Sequence, residues 1–521
     1  MKLSKKLLVT AALLTAAVVS FAQATGYTGP ASSLLSDKTA GLFENEFDKQ
    51  FTVNPDFGTY GQQFLYGGLG NPRKERLNAV PAIRNVMFGY YRPSEERPWS
   101  VFGDWGAEGT FARAGSTKQT VGGATITTTP LGLFFFQKYT TNLQFLTKVG
   151  GANNIVVGGQ FFLYSDFSNL TPDHFMKTQT KGGATPGVTE LWNFNPNPAN
   201  IVNPALVLPE SEHNFEIGVP VAFKTGEIEH GARVFLNSHI TERNGSYKTT
   251  VVSKQERKIT DMGAYTKLGA SYLVSLPVQD SSEDRWLLGG DFNFGIAGQS
   301  YEQKVTGIAG LDNVKSTYKL ATGGGIAVEG GRLFNFHPAE SIVFKIRPEV
   351  RLGYNGALNT EFDANGNIKD PEAWLQKRVG GPSPEDNAVP KQWKSAHQLL
   401  SSVSVPMGIT IKPDKWICGF VLGVTPAALF RTNIQYAEQA SKTGARTIEV
   451  REPVFSETHV VGLTFEFAGG VRLDVELNGQ LTDIRNFTAQ VFIPLGVPKG
   501  KGAPAKAPAA AGAKSGAAKK N

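Results

Sequence analysis

The sequence has almost no cysteine: Cys418 is the only one in 521 residues. This excludes the disulfide framework that stabilises many small exported domains. Beyond residues 1–22 the chain also lacks an apolar run close to the roughly 20 residues that a membrane-spanning helix requires. A chain of this kind that enters a membrane must therefore cross it with strands closed into a barrel.

Charged residues are few, at 19%, and the net charge of +7 is misleading. Nine of the 52 basic residues lie in residues 1–22 and 496–521, which contain no acid, so the body carries 43 basic against 45 acidic residues. Nucleic-acid binding would require basic residues clustered on a folded face. The high isoelectric point therefore gives no reason to expect a nucleic-acid partner.

Motifs for catalysis and for cofactor binding are absent from the sequence. It has no H-E-x-x-H and no G-x-S-x-G, and its seven histidines lack metal-ligand spacing. The glycine run 323–331 lacks the lysine and helix of a phosphate loop, and we interpret it as strand glycines. Residues 363–370 lack the closing glutamate of an EF-hand, so an Asn-Gly turn is favoured over a calcium site. The sequence thus predicts no enzyme, no metal and no cofactor.

The two ends of the chain differ in composition from its body. Lysines precede the apolar stretch Leu7 to Phe21, and a small-x-small site ends at Ala22, which predicts a secretory signal over residues 1–22. Residues 23–58 have no clear period and are interpreted as a periplasmic lead or a plug. Residues 498–521 are rich in Ala, Pro, Gly and Lys, which predicts a disordered tail. The tail is a solvated linker or, in the alternative, a tether to an anionic partner such as the cell wall.

The stretch from Val471 to Thr482 alternates apolar and polar residues, which is the period of a β-strand with one apolar and one wet face. Similar runs follow one another through the chain and predict sixteen strands. They lie near 59–69, 81–91, 99–112, 128–149, 153–165, 212–224, 231–243, 260–277, 284–301, 315–332, 339–355, 397–412, 415–431, 456–468, 471–482 and 487–495.

The connections between these runs alternate in length. Counted from the first strand, the odd connections are mostly long, and all the even ones are short. A soluble sandwich has no reason to keep this parity, whereas a transmembrane barrel has short turns at one end and long loops at the other. We therefore predict an all-β, antiparallel, up-and-down transmembrane barrel of about sixteen strands over residues 59–497. Both termini are then expected in the periplasm.

Charges within two of the runs indicate which face is wet. Arg or Lys facing lipid at mid-membrane would cost roughly 2–4 kcal/mol, so these side chains should face the lumen. Such charges either set an ion preference in a pore or pair with one another in a solvated lumen. The candidate pore-lining residues are Lys345, Arg347, Glu349, Arg351, Arg472, Asp474 and Glu476.

Prolines inside the runs argue against fully regular strands. Pro220 and Pro406 fall well inside two predicted strands, where proline removes a donor from the hydrogen-bond ladder. These strands are therefore expected to be bulged, or shorter than the ranges given above. Aromatic residues near strand ends, such as Tyr90, Tyr91, Trp99 and Trp286, are typical of the girdles at membrane interfaces.

With its signal, alternation and loop parity, the chain resembles Gram-negative outer-membrane β-barrels, and general porins most closely. The resemblance implies export through the Sec pathway, an outer-membrane location, contact with outer-membrane lipid and passive diffusion of small hydrophilic solutes. Loops 166–211 or 356–396 are then expected to fold inward as a constriction. The chain departs from this pattern in ending on a lysine-rich tail after the last strand.

Two alternatives are kept. A weaker resemblance to fatty-acid-transporter barrels implies fourteen strands, with residues 23–80 as an N-terminal hatch that gates a hydrophobic substrate. The Asn-Pro-Ala signature of that family occurs here at 197–199 and 203–205, but in a mid-chain loop. The other alternative is a secreted or surface β-protein with an adhesive or structural role. The sequence does not determine the oligomeric state.

Overall fold

The computed structural model describes most of the chain between residues 50 and 495. The described ranges are 50–70, 85–94, 96–108, 115–130, 138–149, 155–170, 175–194, 208–279, 281–317, 321–358, 395–412, 417–439, 442–450, 452–479 and 487–495. The predicted signal, the turn at 363–370 and the lysine-rich tail lie outside these ranges. Within them, no helix combines the length and the apolar character needed to cross a membrane.

Nearly all described residues lie in antiparallel strands, because the sequence alternates at period two over most of its length. The strands are β1 (Phe64–Gly70), β2 (Asn85–Arg92), β3 (Trp99–Glu108), β4 (Thr117–Val121), β5 (Ala124–Pro130), β6 (Lys138–Val149), β7 (Ile155–Asp166), β8 (Phe175–Lys181), β9 (Gly187–Trp192), β10 (Ser211–Thr225), β11 (Ile228–Glu242), β12 (Gly245–Thr249), β13 (Gln255–Val278), β14 (Ser281–Thr306), β15 (Val314–Thr317), β16 (Ala321–Ala339), β17 (Ile342–Ile346), β18 (Glu349–Leu358), β19 (Ser395–Ser404), β20 (Met407–Ile411), β21 (Cys418–Gln439), β22 (Lys442–Val450), β23 (Val454–Glu466), β24 (Arg472–Gly479) and β25 (Phe487–Pro494).

Sixteen spans of this sheet close into a barrel. Their order is β1, β2, β3, β6, β7, β10, β11, β13, β14, β16, β17 with β18, β19 with β20, β21, β23, β24 and β25, and β25 pairs antiparallel with β1. Phe64 lies opposite Pro494 at this closure, and Gly70 lies opposite Thr488. The prediction of a closed antiparallel barrel with sixteen strands is confirmed, and the fourteen-stranded alternative is wrong.

Alternate residues separate an apolar exterior from an interior that is largely polar. On β18, Val350 and Leu352 are exposed on the outside, whereas Asn355 is buried on the opposite face. Trp286 is exposed on the exterior near one end of β14. Tyr91, which we predicted as a girdle residue next to Tyr90, instead lies fully buried inside, because neighbouring residues of a strand point to opposite faces.

Proline breaks two neighbouring barrel spans, one at Pro406, as predicted, and one at Pro348, which the sequence analysis did not single out. Pro406 separates β19 from β20, and Pro348 separates β17 from β18. The two breaks lie side by side, and the backbone amide of Arg347 donates to the carbonyl of Pro406 at 2.8 Å. The expectation for Pro220 is wrong, because β10 is neither bulged nor shortened there, although its pairing with β7 skips that position. Each proline thus removes a ladder donor at the cost of a local irregularity.

Further strands extend the barrel on one side of its long-loop end. Strands β4, β5, β8, β9 and β12 pair in that order and join the first residues of β13, and β15 pairs with the end of β14. We call these strands, with the adjoining ends of β13 and β14, the outer wall. Sequence periodicity missed them within long connections. The glycine pair Gly122-Gly123, both at positive φ between β4 and β5, is the hairpin signal that could have revealed them.

Candidate functional site in the barrel lumen

A belt of polar side chains lines the interior of the barrel. Its members are buried inward-facing residues, most of which bond to another member. We call this set the polar belt: Asp104, Asn142, Gln144, Gln160, Asn214, Glu216, Arg233, Asn237, Asn293, Asn355, Gln398, Asn433, Thr464, Asp474 and Gln490. Its bonds include Asn355 to Gln398 at 2.8 Å and Gln398 to Asn433 at 3.1 Å. This part of the interior therefore offers amide, carboxylate and guanidinium groups.

One partly exposed charged group in this interior is centred on Arg351. Its guanidinium bonds to Asp291 of β14 at 2.9 Å and to Glu329 of β16 at 3.0 Å. We call these three residues the lumen triad. Their side chains keep 35%, 26% and 23% of their surface exposed, respectively. Two carboxylates and one guanidinium thus face the solvent-accessible part of the lumen.

The strand register explains how Arg351 reaches two strands. Glu329 lies directly opposite Arg351, whereas Asp291 lies opposite Ala327 on the intervening strand β16. Because Ala327 presents only a methyl group, the long side chain of Arg351 can pass over it to Asp291. Gly353, which lies opposite Ala327 on β18, adds no side chain in the way.

Three further predicted pore-lining residues, Lys345, Arg347 and Glu349, lie on the same span as Arg351. Arg347 is buried and bonds to Glu349 at 3.1 Å, and Ser404 donates a hydrogen bond to Glu349. Lys345 lies on β17 opposite Asn335 and Gly408, and its side chain is half-buried. The run of cations seen in the sequence is therefore interleaved with acids, two of which come from other strands.

The second set of predicted residues lies on β24. Arg472 bonds to both carboxylate oxygens of Asp474, at 2.8 and 3.0 Å, and Thr464 of β23 donates to the same carboxylate. Glu476 is placed on β24 opposite Gly462, and its side chain lies outside the described part of the structure. A pore-lining role for these residues and for those near Arg351 stays a prediction.

The pair of Arg233 and Glu216, with almost no exposed surface, was not singled out from the sequence. The arginine lies on β11 and the glutamate on β10, four positions away from direct opposition, because Arg233 lies opposite Pro220. A Cβ on Gly218 would come within 2.7 Å of the Arg233 Nε, so this glycine makes room for the guanidinium. The alternation of a polar residue at 216 with apolar neighbours was the available signal.

Residues 50–60, which we call the inner segment, pack inside the barrel at its short-turn end. Phe51 and Phe57 have no exposed surface, and Val53 has 2%. The ring of Phe51 lies between those of Phe64, Tyr66 and Phe102, at centroid distances of 5.5, 5.4 and 5.9 Å. This part of the predicted lead or plug therefore lies against the inner face of the wall.

Polar contacts fix the inner segment on several strands. Gln144 donates to the carbonyl of Phe51 at 2.7 Å, and Lys148 donates to that of Phe57 at 3.2 Å. Asp56 forms an ion pair with Lys224, the last cation before the turn that follows β10, at 2.7 Å. The segment thus spans the inner face from β1 to β10 and narrows the lumen on that side.

Gly89 makes the packing of Phe51 possible, since a Cβ there would lie 2.8 Å from Cζ of that ring. We expect Gly89→Val to release the inner segment, because overpacking costs about 1–3 kcal/mol and the ring is enclosed on its other sides. Chymotrypsin should then cleave after Phe51, Phe57 or Tyr60 on the order of tenfold faster in the folded protein. Gly67→Val is the control, because Gly67 has only Val491 nearby, at 3.7 Å. Equal cleavage of the two variants would contradict this role of Gly89.

At the long-loop end, part of another loop packs on the inner face of the outer wall. Phe194 and Leu208 are buried there, and a Cβ on Gly245 of β12 would meet both side chains. Asn193 holds the two loop ends together by donating to the carbonyls of Pro209 and Asn244, both at 3.0 Å. Burial in this cluster raises the pKa of Tyr247. Of the two loops expected to fold inward, 166–211 thus has residues on the lumen side, and most of 356–396 lies outside the described ranges.

A closed antiparallel barrel with an apolar exterior and a polar interior leaves no unpaired backbone edge facing lipid. The chain is an outer-membrane-type β-barrel. No protein-family model and no curated protein sequence matches it.

Solved structures similar to the chain are themselves barrels of different kinds. The β-domain of the Bordetella autotransporter BrkA is 14% identical, with a TM-score of 0.21, over 55% of this chain and 90% of that one. The toluene transporter TodX of Pseudomonas putida is 11% identical, with a TM-score of 0.24, over 92% and 97%. The ferric yersiniabactin receptor FyuA of Yersinia pestis is 7% identical, with a TM-score of 0.27, over 84% and 80%. The architecture therefore rests on this chain's own strand pairing and apolar exterior.

Proposed function

We propose that the protein is a channel for passive diffusion of small hydrophilic solutes across the outer membrane. The observation that carries the proposal is the solvent-accessible lumen triad of Arg351, Asp291 and Glu329, together with the polar belt. A lumen of this chemistry exchanges hydrogen bonds and charge contacts with hydrated solutes, and barrels of this strand count leave an aqueous channel. In the proposed orientation the long loops face outward and both termini lie in the periplasm.

The charge balance of the lumen bears on what the channel passes. Lys345, Arg347 and Arg351 alone would favour anions. Glu349, however, pairs with Arg347, and Asp291 and Glu329 pair with Arg351. Three cations and three acids together carry no net charge. The field of any one of them is also screened by salt beyond the Debye length, which is about 8 Å at physiological ionic strength. The proposed channel therefore has a weak ion preference and accepts neutral solutes.

The inner segment gives the channel a narrow mouth at the short-turn end. It lies on one side of the lumen, between β1 and β10, whereas the lumen triad lies on strands β14, β16 and β18. A route along the triad side is thus the proposed path for solutes. The aromatic cluster around Phe51 favours one competing function, a hatch-gated route for hydrophobic substrates, in which this segment would move.

Planar-bilayer recording and liposome swelling with the mature full-length protein test the proposal together. We expect stable, stepwise conductance with a weak ion preference, and swelling driven by small sugars. Protein that inserts but gives neither conductance nor sugar uptake would contradict the diffusion channel. Uptake of a hydrophobic solute without sugar uptake would favour the hatch-gated alternative.

A further inference from the structure

The outward face of the outer wall continues the lipid-contacting face of the barrel. On β13, Met262 and Leu268 are exposed on the exterior, and Lys258 shares their face because it differs from them by an even number of positions. On β14, Lys304 shares the face of the exposed Phe294 and Ile296 in the same way. Lys258 lies four residues beyond Met262, about 13 Å along the strand. The charged part of the wall's outward face therefore begins where the apolar exterior of the barrel ends.

Lysine dominates the charged residues of that face. Cross-strand partners in the register share a face, which relates β4, β5, β8, β9 and β12 to β13, β14 and β15. The described outward positions of the wall carry seven lysines, namely Lys118, Lys177, Lys181, Lys248, Lys258, Lys304 and Lys315, and three glutamates, namely Glu190, Glu256 and Glu302. The face therefore has a net positive charge.

One pair on this face is unfavourable within the protein alone. Lys258 and Lys304 lie directly opposite each other on β13 and β14, and like charges in that position destabilise a sheet. The carboxylate of Glu302 lies 3.3 Å from Nζ of Lys304 and 3.8 Å from Nζ of Lys315, so two lysines share one acid. The side chains of Lys304 and Lys315 keep 67% and 77% of their surface exposed. Lys258 is exposed and forms no ion pair with a described residue.

We propose that this lysine-rich outward face binds the phosphate groups of glycolipid in the outer leaflet, with Lys258, Lys304 and Lys315 at its centre. An anionic headgroup between Lys258 and Lys304 removes their mutual repulsion, and ammonium groups bind phosphate oxygens through charge-assisted hydrogen bonds. Basic side chains next to a lipid-facing surface are the usual complement of anionic headgroups.

The location of the lysine-rich outward face favours a lipid ligand over a soluble anion. Its lysines continue the same strands and the same side of the sheet as the apolar exterior, so a bound phosphate is in reach of acyl chains that contact that exterior. The inner face of the wall instead carries the buried apolar cluster of Leu191, Tyr247 and Ile259, beside the buried Arg257. The inference rests on the orientation in the proposed function, because only long loops on the outer side bring this face to the outer leaflet.

Binding of purified lipid A to the detergent-solubilised full-length protein, measured by native mass spectrometry, tests the inference. The variant K258Q/K304Q/K315Q should bind bisphosphorylated lipid A between about tenfold and a hundredfold more weakly than the wild type, given three lysines near a headgroup. The matched control K499Q/K501Q/K506Q removes the same charge from the C-terminal tail and should bind like the wild type. Dephosphorylated lipid A should bind the wild type as weakly as the bisphosphorylated form binds the variant.

Three separate results would contradict the inference. Equal binding of lipid A by the wild type and the wall variant would overturn the inference, and so would equal binding of the two lipid forms. A loss that the tail control shares would also overturn it, because net charge and not the face would then explain the binding. Heat-modifiable migration verifies that both variants are folded. Conductance is recorded in parallel and should be the same in all three proteins, so failure of the channel proposal is seen separately.

Discussion

Alanine in place of both Phe51 and Phe57 is expected to raise the single-channel conductance of the protein. The two rings have no exposed surface and anchor the inner segment on the lumen wall. Removing a buried phenylalanine ring costs about 3–5 kcal/mol, whereas each hydrogen bond that would remain contributes only about 0.5–1.5 kcal/mol. The docked population should fall by more than roughly a thousandfold, because each 1.4 kcal/mol is a factor of about ten. With the segment away from the wall, the short-turn mouth of the lumen is wider.

Two controls separate widening of the mouth from damage to the barrel. Phe88→Ala with Phe145→Ala makes the same chemical change at two exposed exterior positions and should leave conductance unchanged. Cysteines at Asp56 and Lys224, in a Cys418→Ser background, replace an ion pair whose charged atoms are 2.7 Å apart. A short thiol cross-linker between them should hold the conductance of the double alanine variant near the wild-type value. Conductance unchanged by the double alanine substitution would mean that the inner segment does not restrict the path.

Arg351→Gln is expected to make the channel prefer cations. It leaves Asp291 and Glu329 facing the lumen without their shared guanidinium, in a group whose members keep 23–35% of their surface exposed. Two uncompensated carboxylates near a passing ion change its energy by about 1 kcal/mol or more at contact even in water. We therefore expect the cation-to-anion permeability ratio, measured from reversal potentials, to rise on the order of tenfold at low salt. The shift should shrink at high salt, where the Debye length is only about 3 Å.

The double variant Glu329→Gln and Arg351→Gln is the matched control for this prediction. It removes the same guanidinium together with one acid, which leaves two cations against two acids, so its selectivity should return close to that of the wild type. Arg233→Gln is a second control, because Arg233 and Glu216 keep only 1% and 3% of their side-chain surface exposed and lie away from solvent. An unchanged permeability ratio in Arg351→Gln would place the ion path elsewhere than beside the lumen triad.

Much of the barrel was predictable from the sequence because its strands obey one local rule. Residues 471–482 alternate in polarity, and the observed strand is Arg472–Gly479. Every one of the sixteen predicted runs overlaps one barrel span, including the two that proline breaks near 348 and 406. Strand ends were less accurate at the outer wall, where β13 and β14 run several residues beyond the predicted limits 260–277 and 284–301. Those extensions pair with strands inside the long connections, which alternation alone did not reveal.

The site was less predictable, since its members come from distant parts of the chain. Arg351 was a candidate from its own strand, but its partners Asp291 and Glu329 lie 60 and 22 positions earlier. Which acid faces which base depends on the register between strands, and on small residues such as Ala327 that let a long side chain cross. The inner segment has no period, so its place against Gly89 and Phe102 could not be inferred from sequence.

The sequence by itself determined the all-β class, the sixteen spans, the alternation of lipid-facing and lumen-facing side chains and the break at Pro406. These properties follow from local chemistry, because side chains alternate at period two and charge is costly in hydrocarbon. Only the tertiary structure decided that β25 closes on β1, that the cations near Arg351 are balanced by acids and that residues 50–60 fill one side of the lumen. Those properties depend on contacts between residues far apart in the chain, whose geometry is set only when the sheet closes.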